Sequence, residues 1–262
     1  MPHLFIFGLG YSAKRIAALA EARGWTIEGT GRGGNMAFDD DSLVRAALRD
    51  ANFVLSSVPP TDEGDPVLLR YGDQLHGRGH FYLSSTGVYG DTKGAWVDES
   101  APIGGGRRSA RAAADGEWLA RGARVFRLPG IYGPGRSALD RVRAKGPGGK
   151  AHRIDLPGQV FSRVHVDDIA SGVMAAMTGD APRGAYNLAD DLPCSQNAVI
   201  EEACRLLGVE PPPLQTIDEA GLSPMARGFY AENRRVANGK ARRVLGWQPR
   251  YPTYREGLRS LL

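Results

Sequence analysis

The chain contains 262 residues with a formal net charge of +4, and 24% of its residues are charged. Since domains contain roughly 100–200 residues, this length corresponds to one large domain or two small lobes. The ordinary charge content, together with 35 glycines and 17 prolines, excludes collagen-like, coiled-coil and disordered chains.

Apolar runs and amphipathic segments alternate along the first half of the chain, and they predict alternating strands and helices. The predicted strands cover residues 3–7, 25–30, 53–58, 80–84 and 124–128, and the predicted helices cover residues 11–23, 42–49, 66–76 and 107–121. Ser42 is the predicted N-cap of the second helix. This alternation favours an α/β fold in which a doubly wound parallel sheet is covered by helices on both faces.

The second half of the chain is less regular. Residues 146–149, Gly-Pro-Gly-Gly, predict a flexible loop, and residues 153–166 predict short strands around a Pro-Gly turn. Helices are predicted at residues 167–177, 195–207, 238–245 and 254–262. Asp167 and Ser195 are the predicted N-caps of the first two. We interpret this half as a small mixed lobe that leans on the sheet.

A glycine-rich segment links the first predicted strand to the first predicted helix. Residues 8–13 read Gly-Leu-Gly-Tyr-Ser-Ala, which fits the dinucleotide fingerprint G-x-G-x-x-G/A in the structural context that supports it. Gly8 permits a tight turn, Gly10 permits close approach of a pyrophosphate, and Ala13 permits close packing of helix on sheet. The amides around Tyr11 and Ser12 then face the phosphates. An ordinary glycine turn and a flavin nucleotide are the alternatives.

We therefore predict a dinucleotide-binding Rossmann domain over residues 1–130. A C-terminal substrate lobe is predicted over residues 131–262, with elements that return to the sheet. The tip of the second strand discriminates between cofactors, because an acidic residue there selects NAD. Glu28 has the spacing of that acid but lies mid-strand, whereas the tip contains Thr30 and Arg32. Arg32, with Thr30 as a further donor, favours NADP(H) with NAD as the alternative; Arg32 as a solvated loop residue is the other interpretation.

Arginine provides most of the positive charge, with 28 arginines against 5 lysines. They are scattered rather than gathered in a basic run, so we expect no nucleic-acid partner; scattered arginines suit small anionic ligands. Cys194 and Cys204 have neither disulfide-framework nor metal-site spacing, so no metal is expected. With no charged leader and no apolar run near 18 residues, we expect a cytoplasmic protein without a membrane partner.

Four motifs occur in one order along the chain. They are Leu-Ser-Ser-Thr-Gly-Val-Tyr-Gly at 83–90, Arg-Leu-Pro-Gly-Ile-Tyr-Gly-Pro-Gly-Arg at 127–136, Val-His-Val-Asp-Asp-Ile-Ala at 164–170, and Leu-Gly-Trp-Gln-Pro at 245–249 with Glu-Gly at 256–257. Together they resemble the extended short-chain dehydrogenase/reductase superfamily, in its NAD-dependent epimerase/dehydratase branch. In the resulting alignment, Gly31 occupies the position where NAD-using members have their acid.

The resemblance fails at the pair that the family uses for catalysis, a tyrosine four residues before a lysine on one helix. Residues 107–111 read Arg-Arg-Ser-Ala-Arg, so Arg107 and Arg111 occupy both positions. A guanidinium stays protonated and cannot exchange a proton at neutral pH. The chain therefore looks like an atypical subgroup that lacks the Tyr-x-x-x-Lys pair.

The resemblance also implies where the remaining site residues lie. Ser85, with Thr86 as its near alternative, matches the family's catalytic serine or threonine. Tyr89 is a candidate proton donor, or else a packed aromatic residue. Tyr89 and Lys93 have the four-residue spacing only formally, because glycines flank a turn there.

The loop after residue 128 is expected to form the nicotinamide side of the site. Pro129 and Ile131 are expected to wall the nicotinamide ring. Tyr132 and Arg136 are candidate substrate-binding residues at the mouth, where Arg136 could clamp a phosphate or carboxylate. His165 is expected to be structural rather than a metal ligand or a base.

Two functional hypotheses follow. The first is an NADP(H)-dependent oxidoreductase or epimerase/dehydratase-like enzyme that acts on a small polar carbonyl or hydroxyl compound, or on a sugar nucleotide. The second is a catalytically silent NADP(H)-binding sensor or scaffold, consistent with the missing pair. A homodimer through the 107–121 helix is a further hypothesis.

Overall fold

A computed structural model describes residues 1–75, 79–144 and 151–262. Its strands are β1 (His3–Phe7), β2 (Thr26–Gly29), β3 (Phe53–Ser56), β4 (Gly79–Ser85), β5 (Trp96–Val97), β6 (Arg124–Leu128), β7 (Gly130–Tyr132), β8 (Arg153–Ile154), β9 (Arg163–His165), β10 (Gly184–Asn187), β11 (Leu214–Gln215) and β12 (Arg235–Val236). Its α-helices are α1 (Tyr11–Glu21), α2 (Asp41–Asp50), α3 (Pro66–Tyr71), α4 (Ser109–Ala120), α5 (Ala138–Arg143), α6 (Val166–Thr178), α7 (Gln196–Leu207), α8 (Pro224–Tyr230), α9 (Gly239–Leu245) and α10 (Tyr254–Arg259).

The central sheet is parallel and has six strands in the order β10-β6-β4-β3-β1-β2. The chain starts at β1, places β2 on one side, and then builds outward through β3, β4, β6 and β10 on the other. This reversal puts a topological switch point between β1 and β3, and ligands of such sheets bind beyond the carboxyl ends of the strands there. The predicted α/β fold with a doubly wound parallel sheet is confirmed.

Apolar side chains cover the sheet on both faces. On one face, α1 and α6 bury Ile16 and Val173 against the strands. On the other, α2, α3 and α4 bury Leu48, Tyr71 and Trp118. Because both faces are buried, the loops at the carboxyl edge of the sheet are held on a rigid support. No helix in the described part of the chain is both long enough and apolar enough to cross a membrane.

Three predicted helix starts can be compared with the structure. The side chain of Asp40, rather than Ser42, caps α2 by accepting the amide of Leu43, so that prediction is wrong. The predicted cap of α6 is also wrong, because Nδ1 of His165, rather than Asp167, accepts the first amide. The prediction for α7 is confirmed, since Oγ of Ser195 accepts the amide of Ala198.

The fourth helix is shorter than predicted. It begins at Ser109, so Arg107 and Arg108 lie in the segment before α4 rather than on its first turn. Arg107 and Arg111 therefore do not share one helical face. Helices α5 and α8 were not predicted from the sequence. The predicted flexible loop at 146–149 and the predicted end of the third helix at 76 lie outside the described residues.

Candidate active site

A tight turn joins β1 to α1 at the switch point. Gly8 has a φ of +80°, and a Cβ at this position would lie 3.0 Å from Cγ2 of Val58, so a side chain would be both strained and crowded. The amide of Gly8 donates to Oγ1 of Thr30 at 3.3 Å, and Oγ of Ser57 donates to the carbonyl of Gly8 at 2.5 Å. The turn is thus fixed by the residues that directly follow the neighbouring strands β2 and β3.

The first turn of α1 presents free donors. Gly10 is the N-cap and provides no side-chain cap, and the first turn contains no acidic residue. The first amides of a helix have no acceptor within it, so those of Tyr11, Ser12 and Ala13 are available. A Cβ at Gly10 would meet only the carbonyl oxygen of Gly8, at 3.8 Å, so the space above the turn is open. This arrangement fits the diphosphate of a dinucleotide.

Two exposed cations lie at the loop after β2, one in the loop itself and one on the neighbouring helix α1. Arg32 is exposed at the tip, and Lys14 of α1 lies against Gly33, where its Cε occupies the space that a Cβ would need. Glu28 is not at this tip; its Oε2 lies 3.0 Å from Nε2 of His3. Thr30 is buried beneath the turn and accepts from Gly8, so it does not serve as the expected outward donor.

A cleft of about 670 Å³ runs from the turn across the carboxyl ends of β4 and β6 to α8. Its walls bring together eight of the predicted site residues: Gly10, Tyr11, Ser12, Ser85, Thr86, Pro129, Ile131 and Arg136. Gly8 and Ala13 lie at the turn beneath it. Tyr89 and Tyr132 do not line this cleft.

Ser85 ends β4 and starts a short 3-10 turn, residues Thr86–Tyr89. Its Oγ accepts the amide of Gly87 at 3.1 Å, and the side chain is half-buried at the cleft. Accepting this bond leaves the hydroxyl proton of Ser85 free to donate to an oxygen of a bound molecule. Thr86 lines the same wall but is only 4% exposed.

Tyr89 belongs to a buried network behind the cleft. Its hydroxyl donates to Oδ1 of Asn187 at 2.8 Å and accepts from Nη1 of Arg127 at 3.0 Å. Arg127 is in turn paired with Asp115 at 2.7 Å, and Ser84 donates to the same carboxylate. Burial raises the pKa of Tyr89. This placement does not support the predicted proton transfer from Tyr89.

Tyr132 lies in a second cavity of about 490 Å³, which also borders Arg136. In the described part of the chain its hydroxyl has no hydrogen-bond partner, nor have Nε2 of His165 and Oδ2 of Asp190. His165 is 1% exposed and burial lowers its pKa to about 4, so it is neutral at pH 7 and acts as the cap of α6. The expected structural role of His165 agrees with this contact.

Sequence reasoning missed several residues of the cleft wall, namely Arg108, Arg141, Phe229, Tyr230, Glu232 and Arg234. They come from the segment before α4, from α5, and from α8 with the residues after it. The Arg-Arg pairs at 107–108 and 234–235 were the available signal, because neighbouring guanidinium groups suit an anionic ligand.

Comparisons with known proteins show which proteins this chain is similar to. Among solved structures, a functionally unknown conserved protein from Silicibacter pomeroyi DSS is 39% identical, with a TM-score of 0.85, over 100% of this chain and 98% of that one. The chain belongs to the same family as this protein. No family model matches the chain.

Two curated relatives extend the comparison. Protein YeeZ of Escherichia coli K12 is 26% identical and covers 96% of this chain and 97% of its own. A 3-diazoavenalumate denitrifying reductase of a Streptomyces species is 32% identical over 187 residues, 62% of this chain and 58% of its own.

More distant solved structures share the fold. The dTDP-glucose 4,6-dehydratase of Bacillus anthracis, in complex with NAD, has a TM-score of 0.79 at 15% identity over 100% of this chain and 95% of that one. A human epimerase family protein with NADPH has a TM-score of 0.74 at 14% identity over 99% and 98%. The structural neighbours of the chain thus include NAD(P)-dependent epimerases and dehydratases.

The buried Asp190 predicts how stability depends on pH. Burial raises its pKa from 3.8 to about 7, so the folded chain holds this proton more tightly than the unfolded chain. The stability that the proton contributes is complete below about pH 4 and is lost as pH rises to about 7. Asp190→Asn should therefore become more stable relative to wild type across this range, by about 4 kcal/mol at most.

Denaturant unfolding at several pH values measures this difference. Asp180→Asn is the control, because the Asp180 side chain is fully exposed beside Arg124 and its removal should leave the pH profile unchanged. Parallel profiles for Asp190→Asn and wild type between pH 4 and 7 would show that Asp190 titrates normally.

Proposed function

We propose that this protein is an NADP(H)-dependent oxidoreductase or epimerase/dehydratase-like enzyme acting on a small polar carbonyl or hydroxyl compound. One observation carries the proposal. The free amides of the first turn of α1 open into the same cleft as the hydroxyl of Ser85. A dinucleotide held by those amides would extend along the carboxyl edge of the sheet, as in other folds of this class.

NADP(H) is favoured over NAD by the charges beside β2. Arg32 and Lys14 flank the loop where the ribose 2′-position of a bound dinucleotide would lie, and Glu28 is engaged with His3. Two cations without a carboxylate at the tip are the charge pattern that suits a 2′-phosphate.

When bound, the nicotinamide ring supplies or accepts a hydride. Pro129 and Ile131 would then wall the ring, and Ser85 would donate its hydroxyl proton in a hydrogen bond to the substrate oxygen. Arg107 and Arg111 supply guanidinium groups, which hold charge rather than exchange protons. Tyr230 lines the cleft, and burial raises its pKa, which keeps it neutral as a hydrogen-bond donor. The reductase activity named for the Streptomyces relative supports a reduction.

A second candidate is a catalytically silent NADP(H)-binding sensor or scaffold. The arginines in place of the tyrosine and lysine favour it, since the cleft then lacks the usual proton-transferring pair. Tight NADPH binding that raises the melting temperature, without consumption of NADPH on any substrate, would favour the sensor or scaffold over the enzyme.

The role of Ser85 can be tested by turnover. Purified protein is mixed with NADPH and a panel of carbonyl compounds, and the loss of NADPH absorbance is followed. On any compound that is reduced, Ser85→Ala should lower kcat by about 100-fold, because one hydrogen bond to the developing charge is lost. Ser42→Ala, at an exposed residue that does not line the cleft, should retain full activity. Equal rates for Ser85→Ala and wild type would remove Ser85 from the mechanism.

Cofactor preference can be tested by binding. Arg32→Ala and Lys14→Ala should each weaken NADPH binding about tenfold, since each removes a charge-assisted contact worth about 1.5 kcal/mol, while the affinity for NADH is unchanged. Fluorescence titration gives both dissociation constants, and Arg23→Ala, an exposed residue at the far end of α1, is the matched control. Equal weakening of NADH and NADPH would contradict selection by the 2′-phosphate.

A further inference from the structure

The wall of the cleft is strongly cationic beyond the dinucleotide turn. Among the cleft-lining residues that the structure describes, seven are arginines and one, Glu232, is acidic. Four of the arginines come from the segment around the start of α4 and from the chain after α8. We call Arg107, Arg108, Arg111 and Arg234 the guanidinium cluster.

Glu232 cannot neutralise this cluster. It is 8% exposed, with Oε2 2.9 Å from Arg234 and Oε1 3.6 Å from Arg107, so one carboxylate serves two guanidinium groups. Arg111 donates to the hydroxyl of Tyr82 and to the carbonyl of Leu83, which are neutral acceptors. The cluster therefore keeps an excess of positive charge.

The side chain of Arg108 has neither a hydrogen bond nor an ion pair with any residue in the described ranges, and its backbone carbonyl accepts the amide of Ala112. Its guanidinium carbon lies 5.7 Å from the centre of the Phe229 ring, beside that of Arg107 at 5.0 Å. The side chain is half-buried, and burial followed by the charges of Arg107 and Arg111 lowers the pKa of Arg108. Glu232 acts on Arg108 only as a nearby charge, without an ion pair, and its carboxylate is shared with Arg107 and Arg234. A half-buried cation with so little counter-charge is stabilised when an anion binds.

The position of Arg108 ties it to the reactive part of the cleft. A Cβ on Gly87 would lie 2.7 Å from Cδ of Arg108 and 3.3 Å from Oγ of Ser85. Gly87 thus leaves the space through which Arg108 crosses the end of β4, next to the Ser85 hydroxyl. The free donors of α1 follow β1, which is separated from β4 by β3 in the sheet. The site for a cofactor diphosphate and the guanidinium cluster therefore lie at different parts of the cleft wall.

We propose that the guanidinium cluster binds a carboxylate or phosphate group of the substrate, with Arg108 as the direct contact. The substrate class is then a small oxyanion-bearing compound whose anionic group lies close to the oxygen that Ser85 contacts. A guanidinium presents two parallel N–H donors to either group. This assignment rests on the proposed function and narrows its substrate.

The test uses small anions as probes on the full-length protein. The melting temperature is measured with succinate, inorganic phosphate or pyrophosphate against potassium chloride at equal ionic strength, both without and with saturating NADPH. Wild type should gain several degrees from at least one oxyanion in both conditions, and the arms with succinate and phosphate separate carboxylate from phosphate recognition. A titration with the effective anion should give at least tenfold weaker binding to Arg108→Gln.

Arg108→Gln should also differ from a variant that is merely unfolded or destabilised. Without anion, Arg108→Gln should melt at the same temperature as wild type or higher, because it removes a half-buried cation that repels Arg107 and Arg111, and only its response to the anion should be lost. Arg108→Lys keeps the charge without the paired donors and should restore part of the response. Arg23→Gln, outside the cleft, should respond as wild type does.

Two results would overturn the proposal: wild type unaffected by every oxyanion in both conditions, or an undiminished response in Arg108→Gln. NADPH binding is measured by fluorescence in the same samples. If NADPH does not bind but the Arg108-dependent response to the anion is retained, the proposed cofactor is contradicted and the anion site is still supported. Normal NADPH binding without an anion response would contradict the anion site alone.

Discussion

The turn between β1 and α1 is the constraint on which the site depends. A helix that begins at Tyr11 without a side-chain cap has amides that need an acceptor from outside the chain. Gly8 makes this geometry possible, and Thr30 and Ser57 hold it from the segments that follow β2 and β3. Since the parallel strands all end at this edge of the sheet, the turn, Ser85 and the loop after β6 face one cleft.

The second feature of the site is the cationic wall of the cleft. Arg107, Arg108 and Arg111 supply fixed positive charge there. Fixed charge in a cleft partly removed from water binds anions strongly and stabilises negative charge where it forms. The arginines of the cleft wall therefore support the proposed anionic substrate.

The sequence was informative where local patterns decide the structure. Alternating apolar runs and the Gly8–Ala13 segment were sufficient to predict the parallel sheet and the position of the turn. Helix caps were less predictable. Asp40 rather than Ser42 caps α2, and His165 rather than Asp167 caps α6, because only the path of the backbone decides which of several nearby polar side chains reaches the free amides. An unexpected cap such as His165 requires knowledge of the backbone direction entering the helix.

The rest of the site depends on contacts between distant segments. Tyr89 was a reasonable candidate beside Ser85, but Asn187 of β10 and Arg127 of β6 bind its hydroxyl behind the cleft. Arg108 and Phe229 are far apart in sequence and meet where the segment before α4 contacts α8. Pairings of this kind leave no periodic pattern in the sequence, so charge composition was the one available signal.

Calorimetric titration of NADP⁺ and NADPH into wild type and Ser12→Asp tests the central claim most directly. A carboxylate on the first turn of α1 satisfies the free amides and suits the helix dipole, so the variant should fold at least as stably as wild type. It should repel the diphosphate and lose binding at least 100-fold, whereas wild type should bind with a dissociation constant in the micromolar range. No heat from wild type with NADP⁺, NADPH, NAD⁺ or NADH at millimolar concentrations would contradict the account.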